Sequence, residues 1–284
     1  MSSWHLAGAV GPPSVLVHGI GAAGPTQVPL ALQLAHHGPV HVPDLPGFGS
    51  STASPGGADP AALADSLAAW ATAHDIGPAV YLGVSAGCEV VLHLLADHPH
   101  LADRAVLQGP TVQPGARTRR SQLGRLLLDA PLEHPGLVAL QLRELARRGP
   151  RPFLRAAPHF LGDRPEAVAS RVAHPVLVVR GGHDPLVAGA WARRLAALLP
   201  HGACTELPRA PHALMYSRPR ELAALAVGFA GTALPRGPSP RGAGAGAHGS
   251  ATARGASGTS SRESSPTGSP CSTTSTRATS WFRM

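Results

Sequence analysis

The 284-residue chain contains no lysine and no asparagine. With lysine absent, all 24 formally cationic side chains are arginines, and a GC-rich coding bias accounts for them without any demand for guanidinium chemistry. Cysteine is scarce too. Cys88, Cys204 and Cys271 form no C-x-x-C pair and keep no metal-ligand spacing, which argues against a disulfide scaffold and a metal site. No apolar run approaches the ~20 residues needed to cross a bilayer. The first residues, MSSWHLAGAVGPP, lack the basic start and apolar stretch of a secretory leader. These absences predict a cytoplasmic protein with no membrane partner.

The formal charge of +8 is unevenly spread. Residues 232–284 hold six arginines against Glu263, a net +5, which leaves +3 for residues 1–231. A surplus that sits mainly in the tail gives little reason to expect a nucleic-acid partner. The tail itself is dominated by Gly, Ser, Ala, Thr, Arg and Pro. It has no periodic apolar face to offset the entropy of ordering, so disorder is expected there. A GC-rich frame read out of register would yield a similar composition. The remaining ~230 residues are enough for a large apolar interior.

What the chain does have is alternation. Short Val- and Leu-rich runs read as buried strands: SVLVH (14–18), PVHVP (39–43), AVYLGV (79–84), RAVLQ (104–108), PVLVVR (175–180) and ACTEL (203–207). Helical spacing separates most of them, in 60–74, 86–97, 188–199 and 219–230. Asp59 before Pro60 suits an N-cap with proline at the first helical position. The fold class expected is α/β, a mainly parallel sheet flanked by helices. Residues 110–172 break the rhythm with successive helical stretches punctuated by proline. The expected organisation is a core of 1–109 and 173–231, a helical cap inserted at 110–172, and the tail at 232–284. Apolar positions of the insertion, among them Leu123, Leu126, Leu127, Leu137, Leu140 and Phe153, exceed what one exposed helix needs. Some are expected to line a pocket.

Residues 83–87 read GVSAG, between a strand and a helix. A serine there sits on a sharp turn, and glycines two residues to either side relieve the crowding. Ser85 is thus a candidate nucleophile, with Gly83 and Gly87 forming its elbow. The N–H of Ala86, at the helix start, is the expected donor to an oxyanion. A second donor is expected from the Gly-rich loop after SVLVH, at Ile20 or, failing that, Gly21. A serine needs a base, and the base an orienting acid. In GGHDPLV, Asp184 follows one strand; in PRAPHALMY, His212 follows the next. Taken singly, Asp184 reads equally as an Asx-turn residue and His212 as one of sixteen histidines. Three such residues after three strands, in the order Ser, Asp, His, form a far more specific pattern. His18 reads as a structural hydrogen-bonder, Asp44 as a turn-former and Cys88 as packing. Arg117, Arg119, Arg120 and Arg125 fit a solvated helix face better than an anion site.

The stretches VLVHGIG, DLPGFGSS, GVSAGC, LQGPT, VVRGGHDPLV and PHALMYSRPREL together resemble the α/β-hydrolase fold with a helical cap. The resemblance implies Ser85 as nucleophile, Asp184 as acid, His212 as base, and Ile20 and Ala86 as oxyanion donors. It implies a small-molecule ester, thioester or lactone substrate and no metal or organic cofactor. The same triad serves carbon–carbon hydrolases of dienoates, which tend to carry Trp soon after the histidine, where this chain has Ala213-Leu214. The fold, though not turnover, is also kept in certain binding proteins, a reading that the complete triad argues against. Family members usually open with an antiparallel hairpin. Only about a dozen residues precede SVLVH, so a reduced edge is expected.

Overall fold

The short apolar runs become strands and the longer periodic stretches become helices. The computed structural model describes residues 1–53 and 57–231; the disorder expected of 232–284 falls outside the described residues. Seven strands form one sheet: β1 (Ser3–Leu6), β2 (Ser14–Val17), β3 (Val40–Pro43), β4 (Ala79–Val84), β5 (Ala102–Gln108), β6 (Val176–Gly181) and β7 (Gly202–Leu207). Their order is β1-β3-β2-β4-β5-β6-β7, all parallel except β1, which runs antiparallel to β3 with Trp4 opposite Val42. The edge is therefore a single four-residue strand, shorter than a hairpin.

Both faces of the sheet are buried. In β4, Ala79 and Tyr81 enter the core cluster on one face, and Val80, Leu82 and Val84 the cluster on the other. The same period of two divides Ala105 and Leu107 from Val106, and Val176 and Val178 from Leu177 and Val179. The first face is covered by α2 (Pro60–Ala73), α3 (Gly87–Asp97) and α8 (Gly189–Leu198), the second by α1 (Val28–Leu34) and α10 (Pro219–Gly231). Each buried Val or Leu contributes roughly 1.5–3 kcal/mol, which makes the central strands the anchor of the fold. Asp59 caps α2, its carboxylate accepting the N–H of Ala62 at 2.9 Å.

The connection from β5 to β6 holds α4 (Arg119–Asp129), α5 (Pro135–Arg148), α6 (Arg151–Gly162) and the short α7 (Pro165–Ala169). Among the described residues, nine of the thirteen large apolar side chains left exposed lie on α4–α6 or the turn joining α4 to α5. Most apolar residues of this insertion are thus not core. Leu123, Leu126 and Phe153 line a cavity, Leu137 is buried against the second face of the sheet, and Leu127 points to solvent. A four-residue helix, α9 (Leu214–Ser217), follows β7 and leads into α10.

Candidate active site

Parallel strands deliver their C-terminal loops to one edge of the sheet, where ligand sites of α/β proteins gather. The turn after β4 carries Ser85 with a φ of 53°, a left-handed conformation strained for a residue with a side chain. Its N–H donates to the carbonyl of Gln108 at 2.8 Å, and its own carbonyl accepts the N–H of Cys88 at 2.9 Å. Glycine is needed on both sides. A Cβ on Gly83 would lie 2.7 Å from the Gly87 carbonyl oxygen, and one on Gly87 would lie 2.4 Å from that of Val17. Gly19, in the loop after β2, approaches Ser85 so closely that an added Cβ would sit 3.1 Å from the serine Cβ.

That approach brings Ile20 beside Ser85 and Ala86 on the wall of one cavity of about 330 Å³. The rest of the lining is mostly apolar, from Val112, Leu123, Leu126, Phe153 and Phe160, with Thr111, Arg119 and Gln122 as polar exceptions. Gly21, the fallback donor, instead lines a separate cavity beyond Phe153.

Asp184 lies after β6 and is buried. Its Oδ1 accepts the N–H groups of Leu186 and Val187 at 2.8 and 3.0 Å, the Asx geometry that the sequence allows. Its Oδ2 is 2.7 Å from Nδ1 of His212, so one carboxylate serves both the turn and the imidazole. His212 is also buried, and its Nε2 has no hydrogen-bond partner. Burial acts to lower the imidazole pKa. The charge and hydrogen bond of Asp184, with Asp129 and Glu133 beyond, outweigh it and raise the value to about 9.

Ser85 and His212 form no hydrogen bond with each other, yet both are tied to β5. Gln108 accepts the Ser85 N–H at its carbonyl and donates its side-chain amide to the His212 carbonyl at 2.6 Å. Gly109 follows with a φ of 62°; a Cβ there would fall 2.7 Å from Cε1 of His212. Neither residue was singled out by sequence reasoning. Gly109 sits in LQGP, where it reads as an ordinary turn glycine.

The other singled-out residues have structural partners. Buried His18 has Nδ1 2.8 Å from the Gly19 carbonyl oxygen, and its Nε2 accepts the N–H of Leu45 at 3.0 Å. Asp44 accepts from the N–H groups of Gly24 and Ser50, joining two loops. The Cys88 thiol donates to the carbonyls of Gly83 and Gln108, and burial pushes its pKa well up. His183 is exposed beside Asp184. Of the insertion arginines, Arg117 pairs with Glu166, Arg125 donates to the Pro185 carbonyl at 2.8 Å, Arg119 lines the cavity and Arg120 is exposed. Glu89, on α3, was missed as well. It is 1% exposed, and burial, then Asp163, raises its carboxyl well above the usual range. Among the described residues no group of three His, Cys, Asp or Glu is placed to hold a metal ion, and no helix is long and apolar enough to cross a membrane.

Comparison with known proteins places this geometry in a family. The alpha/beta hydrolase family model matches residues 15–225. A pimeloyl-[acyl-carrier protein] methyl ester esterase of Chromobacterium violaceum is 31% identical over 239 residues, 74% of this chain and 91% of that enzyme. A pyrrolizixenacetamide deacetylase of Xenorhabdus hominickii is 26% identical over 220 residues, 69% of this chain and 83% of the other. Among solved structures, the enol-lactonase of Burkholderia xenovorans superposes with a TM-score of 0.70 at 21% identity, over 80% of this chain and 96% of its own. With its seven-stranded sheet, serine turn and matched span, the chain belongs to the alpha/beta hydrolase family.

Proposed function

We propose that this hydrolase cleaves carboxylic esters, with thioesters and lactones in the same reach, through an acyl-enzyme on Ser85. The observation that carries the reading is the left-handed Ser85 at an apolar cavity, with the Asp184–His212 pair tied through Gln108 to the same strand end. Nε2 of His212, which has no other partner, takes the Ser85 proton as Oγ attacks the carbonyl. The N–H groups of Ile20 and Ala86 hold the oxyanion. The imidazolium returns its proton to the leaving alcohol. A water deprotonated by the same nitrogen then releases the acid and restores Ser85. Asp184 fixes the tautomer by accepting from Nδ1. The insertion acts as the cap, and its Leu123, Leu126 and Phe153 receive the apolar part of the substrate.

The test is a fluorophosphonate probe followed by mass spectrometry. An adduct on Ser85, lost in a folded Ser85→Ala protein along with ester turnover, is the expected result. An adduct on another serine overturns the assignment, and no adduct with tight ligand binding points to a silent binding protein.

A second reading of the substrate is favoured by charge. Residues 110–172 hold eleven arginines and five acids, a net +6, whereas the remainder of 1–231 holds seven arginines and ten acids, a net −3. The insertion thus carries a net positive charge, and its Arg119 lies on the lining of the apolar cavity. It suits an acyl ester presented on a carrier protein that is acidic; the Chromobacterium violaceum relative is named for a methyl ester on an acyl-carrier protein.

A further inference from the structure

The inserted helices do more than roof the cavity: they grip the loops that carry Asp184 and His212. Glu133, in the turn between α4 and α5, accepts the N–H of Ala213 at 2.6 Å, one residue past His212. His134 lies against Tyr216 with ring centroids 5.3 Å apart, and Leu137 is buried in the cluster that holds Ala213, Leu214 and Met215. On the other loop, Arg125 donates to the carbonyls of Pro185 and Leu186. Asp129, the last residue of α4, is 6% exposed and its Oδ1 has no hydrogen-bond partner. Nothing in the family motifs calls for these two acids.

We propose that Glu133 and Asp129 are positioning residues for His212: Glu133 pins the loop that carries the imidazole, and the pair surrounds it with negative charge from the cap side. Three acids then raise one imidazole by their charge: Asp184 from the loop after β6, Asp129 from α4, and Glu133 from the turn after it. Gln108, from β5, is uncharged. The two cap acids are themselves affected by burial. Burial raises both against the opposing pull of His212, leaving Asp129 at about 7 and Glu133 above its ordinary value. Seating the cap therefore favours the imidazolium, the form His212 takes when it holds the Ser85 proton. A cap that lifts would remove both the grip and the charge.

The kinetic arm of the test rests on the hydrolytic reading; the titration arm does not. In Glu133→Gln the side-chain oxygen still accepts from Ala213 while the charge is gone. Removing it lowers the imidazole pKa, so the acidic limb of kcat/KM moves to lower pH by about one unit, worth up to about tenfold more activity below the limb. Asp129→Asn moves it the same way. Glu133→Ala also loses the loop contact, and its kcat on the plateau falls by about tenfold. A purely structural role cannot produce the gain at low pH. The His212 pKa is followed in parallel by NMR in the full chain. A limb and an imidazole pKa unmoved in both neutral variants overturn the proposal. If no ester turns over, a lowered imidazole pKa in both variants still upholds it, and an unchanged one still refutes it.

Discussion

Gly109→Ala isolates how closely His212, the proposed base, is held. At a φ of 62°, an alanine Cβ falls 2.7 Å from Cε1 and 3.0 Å from Nδ1 of His212, whereas ordinary contact begins near 3.4 Å. The imidazole must retreat by about 0.7 Å, the difference between those distances, or the strand end must shift by as much. Either movement strains the 2.7 Å bond to Asp184 and displaces Nε2. Misplacement of a reacting group by ~1 Å costs up to about a hundredfold in rate, so kcat/KM for a short nitrophenyl ester should fall by roughly 10–100-fold. The left-handed backbone adds roughly 1–2 kcal/mol of destabilisation, a fall in Tm of about 2–8 °C for a domain of this size. Gly115 supplies the control. Its φ is 83°, and nothing lies within 4 Å of an added Cβ. Gly115→Ala should lose comparable stability and keep its turnover. Equal activity in the two variants, or losses that track Tm alone, would refute the idea that Gly109 makes room for the base.

The remaining predictions concern pH and presentation of the substrate. His212 must be neutral to accept a proton, and its raised value of about 9 makes kcat/KM climb with pH well above neutrality; a limb at or below 6.5 contradicts this. The same shift has the opposite effect on stability. Its stabilising contribution is complete below the unfolded value of 6.5 and lost as pH rises through about 9, a trend that Tm against pH will report. If the cationic cap receives an acidic carrier, a carrier-linked methyl ester should be hydrolysed at least about tenfold faster than the free methyl ester at low salt. That advantage should shrink at ~1 M salt, where the Debye length is ~3 Å; a ratio indifferent to salt removes the carrier reading.

The strands and the turn that carries Ser85 were legible because both are local signals, whereas Asp184 and His212 stood out only through their order after successive strands. A Val- and Leu-rich run followed by Gly, or a serine flanked two residues away by glycines, needs no knowledge of the rest of the chain. Helix α1 escaped because its seven residues have no side-chain cap and carry proline near the start. Strand β1 escaped because its four residues are largely exposed and show no apolar run. Gly109, Gln108 and Glu133 escaped for a different reason. Their roles depend on atoms brought close only by the assembled sheet and the insertion packed on it, and DAPLEHPG reads in isolation as a proline-broken loop. The apolar excess of the insertion was visible, but the division between Leu126 in the cavity and Leu127 in solvent depends on which way each helix is rolled.

Gln108 has a consequence for how such an enzyme can change. One residue grips the Ser85 turn through its main chain and the His212 loop through its amide. The gauge between them is therefore set by the covalent length of a single side chain and not by the tolerances of the long segments on either side. Helices may be added between β5 and β6 while that gauge is kept, provided that the turn carrying Glu133 stays seated on Ala213. The amide oxygen of the same residue is buried without a partner. Shortening the ruler to asparagine would leave the chemistry's parts intact but out of register, whereas glutamate would keep the length and turn a donor into a repelling acceptor.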